Sequence, residues 1–499
     1  MKQWVILFLI LFWLGWQLAR PVDFIRADLG RHIKNGELIL HGHWEVLYKN
    51  YYSYTNPEYP FINHHWLFGV FCFVLWHYLG FTGLSVVYLM IELGTFYLFF
   101  RCWQRYSSFL LAGAIALLSF PFLTFRSEVR PEGMSYLLGG IFWWLIDSYQ
   151  QKRLKPNHLM VVLCVLQIIW VNTHVFFLMG PVITAFFWGQ ARISGEKEQS
   201  DYLLKLFFTL LGMCLINPSG INGFMEPFHV NTAYAYPVIE DQSVFHLLNV
   251  RPMQGRSLLL YFLAAVSVLN VGVIVLMKRE GFRKYICVGF LILILSLMAM
   301  KASRMIALFG FLGLPLSIYV FSRWLDPLGI KLKKVIGIIL LVVGVVVSMQ
   351  VNFDWKRHPA LGIIPASNEA AEFFKHEKIA GPIFNNYDVG GYLIFHLSPQ
   401  HQLFVDDRVE AYPDAFFKRI YIPMQERDDI WQKLNQQYHF NVIFYSIDTT
   451  PWAFTFMKDR FVDPSWAVVY YSDKAIILLK RNELNEPIIK RDEIKVYLV

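Results

Sequence analysis

The chain has 499 residues, 56% of them hydrophobic and 16% charged, against roughly 25% charged in an ordinary soluble domain, which excludes a conventional soluble enzyme. A net charge of +8 invites a nucleic-acid reading, but the basic residues sit mostly in short loops between apolar runs, a pattern of membrane orientation rather than of phosphate tracking. The five cysteines, Cys72, Cys102, Cys164, Cys214 and Cys287, lie in or beside apolar runs without zinc-ligand spacing, so neither a disulfide framework nor a cysteine metal site is expected.

In chain order, residues 4–19 read as an uncleaved first membrane helix, since no small-residue cleavage site follows them. Further apolar runs cover 82–100, 107–125, 133–150, 158–171, 173–190, 203–217, 258–277, 285–300, 305–321 and 335–351. The run 66–80 is short for a bilayer core of roughly 30 Å, and whether it crosses sets the side of everything after it. If it does not cross, the loops on the N-terminal side carry seventeen basic residues and the opposite short loops carry six: Arg126, Arg130, Arg251, Arg256, Lys301 and Arg304. The positive-inside rule then gives eleven spans, a cytoplasmic N-terminus and a re-entrant or juxtamembrane helix at 66–80. If it crosses, every later loop changes side and the count rises to twelve or thirteen.

From residue 352 the composition becomes that of a globular domain. Residues 365–378 have amphipathic helical periodicity, and 381–385, 402–406, 441–445, 467–471 and 475–479 read as strands. Gly390-Gly391 carries no phosphate-loop pattern. The expected fold is therefore a polytopic α-helical membrane domain, residues 1–351, followed by a soluble extracytoplasmic α/β domain, residues 352–499. Its first exported loop, 20–65, contains juxtamembrane helices.

The exported segments 20–65, 126–132, 217–257 and 301–304 are rich in ionisable groups, and loops of that kind tend to build sites. Asp28 and His32, four apart, share a helix face and suit proton transfer or ion binding, or else form a solvated surface pair. Arg130 and Glu132 flank Pro131, a pattern that also caps the next helix; Glu128 lies just before them. Asn172 and His174 point to a cavity or a hydrogen-bonded core, and Glu92 lies inside a span. The 217–257 loop mixes Glu226, His229, Tyr234, Tyr236, Glu240, Asp241 and His246, aromatics and carboxylates that suit sugar binding or a wet interface. Asp406, Asp407 and Arg408 could bind acceptor or fix a loop. His64, His65, His229 and His246 could collect a divalent ion, but nothing in their spacing does so, and no metal or cofactor is assigned.

Several blocks carry a resemblance: Asp28-Leu29-Gly30-Arg31-His32-Ile33 with Gly36, His65-Trp66-Leu67, Arg130-Pro131-Glu132, Trp170-Val171-Asn172-Thr173-His174, Asn217-Pro218-Ser219-Gly220 with Glu240, Gly390-Gly391-Tyr392-Leu393, and Val405-Asp406-Asp407-Arg408. Their order resembles the GT-C glycosyltransferases, which include protein O-mannosyltransferases, lipid A aminoarabinose transferases and oligosaccharyltransferases. The resemblance implies transfer of a sugar from a polyprenyl-phosphate donor to a glycan, lipid or protein acceptor of the envelope. Asp28 would act as catalytic carboxylate. Arg130, Lys301 and Arg304 would hold the lipid phosphate, and His32, His65, Glu128, Glu132, Asn172, His174 and Glu240 would form the remaining site. The adjacent acidic pair common in the first loop of that group is absent, because Leu29 follows Asp28, and His65 stands where many relatives have Glu before Trp-Leu. A non-enzymatic transporter or scaffold of an envelope polysaccharide system is the alternative; transporters usually show internal repeats and several mid-membrane charges, and only Glu92 fits that pattern here. No nucleic-acid partner is expected.

Overall fold

A computed structural model describes residues 2–229, 236–250, 253–351, 358–446 and 450–495. Arg251 and Tyr234, named above, lie outside the described residues. The chain divides into two compact units, one formed by residues 1–20, 85–220 and 237–361, the other by 21–84, 221–236 and 362–499. This division departs from the expected boundary at 351/352, because the first loop and the 66–84 segment fold with the C-terminal residues.

The first unit is helical. Each of the eleven apolar stretches coincides with a helix, from Lys2–Leu18 through Phe109–Leu123, Pro131–Gln150 and Pro156–Val171 to Met305–Leu325 and Ile330–Gln350. Among the described residues six helices are long and apolar enough to cross a membrane, and three shorter apolar ones accompany them. Helix starts follow local chemistry: the Ser108 hydroxyl accepts a hydrogen bond from Leu111 N–H at 3.3 Å, and Pro131 and Pro156 take first-turn positions where no donor is needed. The Trp66–Gln104 helix bends at Gly80, whose φ of 66° lies in the left-handed region open to glycine. Its two limbs belong to different units.

The second unit holds a four-stranded sheet, β1 (Ile383–Asn385), β2 (Val442–Ser446), β3 (Trp466–Tyr471) and β4 (Ala475–Lys480), in the order β1-β2-β4-β3. β1 runs parallel to β2, with Phe384 opposite Ile443, and the remaining pairs are antiparallel. β1, β2 and most of β3 and β4 are buried, which is why these strands read as continuous apolar runs rather than as alternation. The helix expected at 365–378 is Glu369–His376.

Residues 402–406, expected as a strand, are not one. Their backbone bonds go to the first loop and to a side chain of β1 instead: Leu403 N–H donates to Tyr52 O at 2.9 Å, Tyr54 N–H donates to Leu403 O at 3.1 Å, and Asn385 Nδ2 donates to Val405 O at 2.7 Å.

The first-loop helix Leu29–Leu40 is the hub of this unit, and its glycines decide the packing. A Cβ at Gly36 would stand 2.2 Å from Gly69 O, and one at Gly30 would stand 2.5 Å from Gly391 O, so backbone meets backbone on both sides of the helix. Gly36→Ala should lower stability by about 1–3 kcal/mol, the usual range for an overpacked contact. Thermal unfolding of the purified protein measures this, and a variant melting with the wild type would show that the contact yields freely.

Candidate active site

In the second unit, Asp28 stands at the N-cap position of the Leu29–Leu40 helix, with no side-chain capping bond to the helix N–H groups. The helix dipole favours negative charge at that end. One turn on, Arg31 Nε lies 2.9 Å from Asp407 Oδ1, with both side chains buried. Asp407 Oδ2 is buried without a hydrogen-bond donor of the ordinary kind and faces Asp28; a Cβ at Gly391 would meet this oxygen at 2.8 Å and Asp28 Cα at 3.5 Å. Burial pushes the Asp407 carboxyl well above the usual carboxylate range. Arg31 pulls it back and the Asp28 charge pushes it further up. A negative charge on Asp28 therefore favours the protonated form of the buried Asp407 carboxyl.

The turn that presents Asp407 is fixed by its neighbours. Arg408, fully buried, donates from Nε to Asp406 Oδ1 at 2.8 Å and from Nη2 to Asp406 Oδ2 at 2.7 Å and to Asn50 Oδ1 at 2.6 Å. Its guanidinium carbon lies 5.0 Å from the Tyr52 ring centroid and 4.6 Å from that of Phe61. Tyr412 Oη donates to Asp406 Oδ2 at 3.0 Å. The 406–408 ion pair is thus the loop-fixing kind, and it leaves the middle residue to Asp28. Tyr387 Oη donates to Asp407 O at 2.9 Å and stacks its ring on Tyr236 at 4.2 Å.

A histidine group lies along the same helix. The His32 ring stands 5.5 Å from His65 and 5.1 Å from Phe68, and His65 lies against His64 at 3.9 Å. His64 and His229 each place Nδ1 at 3.9 Å from an oxygen of Glu226. Burial, aided by the Glu410 charge, pushes the Glu226 carboxyl up to about 7, and burial raises Glu410 as well. Among the described residues no three histidine, cysteine or carboxylate side chains converge as ligands for a metal ion. Asp28 and Asp407 bring two carboxyl groups together, and a third ligand is not at hand.

The first unit holds the other expected site residues. Arg126 pairs with Glu132 Oε1 at 2.9 Å and Glu240 Oε2 at 2.6 Å, and Arg130 pairs with Glu128 Oε2 at 2.8 Å and Glu240 Oε1 at 3.3 Å. Arg304 Nε lies 3.0 Å from Asp241 Oδ1, and Arg304 N–H donates to Glu240 O at 3.1 Å. Burial alone would raise the Glu240 carboxyl, but the guanidiniums of Arg126 and Arg130 hold it far below the usual range. This network ties three loops together. Acidic residues of these loops thus match the charge of Arg130 and Arg304. Lys301 is exposed at the end of its helix. His174 Nδ1 shares a hydrogen bond with the Ser135 hydroxyl at 2.8 Å, and Trp170 Nε1 donates to the same hydroxyl at 2.7 Å. Asn172 Nδ2 donates to Ile168 O and Ile216 O, closing a helix end.

Sequence reasoning named Asp28 and the Asp406-Asp407-Arg408 run but gave no signal that Asp407 and Asp28 meet. Arg31 and Glu410 were missed as site residues for the same reason.

No family's sequence profile and no curated protein sequence matches the chain. Solved structures do. The archaeal oligosaccharyltransferase AglB from Archaeoglobus fulgidus, in complex with an inhibitory peptide and a dolichol-phosphate, aligns over 95% of this chain and 74% of its own with TM-score 0.61 at 9% identity. The same organism's enzyme tethered to an acceptor peptide containing the NVT sequon aligns over 96% of this chain and 74% of its own, with TM-score 0.60 and 9% identity. ArnT from Cupriavidus metallidurans spans 97% of this chain and 99% of its own at 13% identity, with TM-score 0.45, too slight to define a shared fold. The chain shares the fold of the archaeal oligosaccharyltransferase AglB.

Proposed function

We propose that this protein is a multi-pass membrane glycosyltransferase that moves a sugar from a polyprenyl-phosphate donor to an envelope acceptor on the extracytoplasmic face of a bacterial inner membrane. The observation that carries this reading is the Asp28–Asp407 pair beside Arg31. It places Asp28 at a helix N-terminus beside a buried carboxyl that burial holds above the usual carboxylate range, within a fold shared with a protein seen bound to dolichol-phosphate. Asp28 takes the proton from the acceptor nucleophile as it attacks the anomeric carbon, and the polyprenyl phosphate leaves with the bonding pair. Asp407 keeps its proton on Oδ2 and donates it toward Asp28, which holds the base in one orientation. In the second unit His32 and His65 are the substrate-binding candidates beside Asp28; in the first unit Arg130, Lys301 and Arg304 are the cations that the resemblance assigns to a lipid phosphate, with Glu128, Glu132, Asn172, His174 and Glu240 as that unit's further candidates.

Eleven spans with a cytoplasmic N-terminus fit the basic-residue bias. The packing of 66–79 against the Leu29–Leu40 helix, seen in Gly69 beside Gly36, supports a juxtamembrane role for that segment. Residues 362–499 should then lie outside the cytoplasm. A C-terminal alkaline phosphatase fusion is expected to be active and a green fluorescent fusion dark, and proteoliposomes should transfer labelled sugar from a polyprenyl-phosphate donor. The reverse fusion pattern would put Asp28 on the wrong face. Donor binding without transfer would favour the transporter or scaffold alternative.

A further inference from the structure

The end of the first unit remote from the 126–132 loop carries a groove of about 640 Å³. Its lining includes Tyr97, Arg101, Gln104, Arg105, Trp144 and Arg153. Three guanidiniums therefore face one space. Only Arg105 is neutralised there by a carboxylate, pairing with the buried Asp147, which Tyr106 and Gln151 also reach. Arg101 lies 3.4 Å from Gln104 Oε1 and over the Trp4 ring at 5.8 Å. Arg153 is exposed, and among the described residues its side chain has no hydrogen bond or ion pair. Local backbone aims it there: Lys152 adopts φ 59° just past the helix end at Gln150, and Arg153 N–H turns back to Ser148 O at 2.9 Å.

Beyond the groove, the helix that bears Arg101 carries an exposed stripe. Val86, Met90, Gly94, Tyr97 and Arg101 are all exposed, and their spacing of three to four residues places them on one face. At Gly94 a Cβ would meet nothing within 4 Å, so the stripe is open at its middle. Tyr97 and Trp144, each more than a third exposed, flank the charged end as aromatic side chains do at the level of lipid headgroups.

We infer that this groove binds an anionic diacyl phospholipid, with its phosphodiester between Arg101 and Arg153 and one acyl chain along the Val86–Tyr97 stripe, at a site separate from the donor site. A guanidinium fork matches a phosphate's paired oxygens, and basic pockets between membrane helices hold anionic headgroups in this way. Free phosphate would satisfy the arginines but leave the apolar track uncovered. The inference rests on reading residues 85–104 as a membrane span, as in the proposed function; carbonate washing that strips the protein from membranes would overturn that reading by itself, independently of the lipid measurement.

The test uses the full-length protein purified in mild detergent. Phosphatidylglycerol, phosphatidylcholine and inorganic phosphate are compared by native mass spectrometry and by shift of the melting temperature. Phosphatidylglycerol should stay bound and raise the melting temperature, while the other two should not. Arg101→Gln with Arg153→Gln should weaken phosphatidylglycerol binding about 30-fold, at ~1 kcal/mol for each arginine near an anionic headgroup. Arg105 is left in place to keep Asp147 paired. Gly94→Leu, whose Cβ would meet nothing within 4 Å, should also weaken binding by filling the track without altering charge. Equal binding of phosphatidylcholine, an equal shift with inorganic phosphate, or undiminished phosphatidylglycerol binding by both variants would overturn the inference.

Discussion

Asp28→Asn is expected to slow sugar transfer by about 10²- to 10⁴-fold, the usual value of general-base assistance, with expression and melting temperature close to wild type. The substitution keeps shape and hydrogen-bonding capacity while deleting the charge that takes the acceptor's proton. Asp407 gives a second readout. Its carboxyl is raised by burial and then by the Asp28 charge, so its folded-state proton is lost only as pH rises above the usual carboxylate range. Above that point a second negative charge stands beside Asp28 and opposes the anionic donor. Wild-type transfer should therefore fall on the alkaline side, and Asp407→Asn, which cannot ionise, should lack that fall. Steady-state rates across pH with a polyprenyl-phosphate sugar measure both effects. A near wild-type rate for Asp28→Asn would move the base to Glu128, Glu132 or Glu240.

Arg408→Met is expected to destabilise the second unit by about 3–5 kcal/mol, because it strands the buried Asp406 charge without its partner. Arg408 is 0% exposed and makes two bonds to Asp406 and one to Asn50. The turn that carries Asp407 should loosen with it, so transfer should fall along with melting temperature. Asp406→Asn added to Arg408→Met removes the stranded charge and should restore part of the lost stability, which separates charge burial from lost packing. Thermal unfolding of the single and double variants measures this. A single variant that melts with the wild type would mean that Asp406 finds another cation.

The sequence alone determined the apolar helices, because apolarity is a local property of a stretch of chain: each run from 4–19 to 335–351 has its helix. It also determined most of the sheet, since β1 to β4 are short buried runs of apolar residues that declare themselves without reference to partners. Asp28 was legible as the candidate carboxylate from its block and its place after the first helix. Tertiary structure decided what surrounds it. The 402–406 segment has strand-like residues, yet its backbone groups bond to the first loop, and no propensity carries that information. Arg130 and Glu240 are far apart in the chain, as are Asp28 and Asp407, so whether their charges cancel, share a proton or stand free depends on distances that only packing sets. The glycines at 30, 36 and 391 were visible as letters of a motif. Their reason is physical and non-local: each removes a side chain where one backbone must touch another, and those contacts bring the second carboxylate to the first.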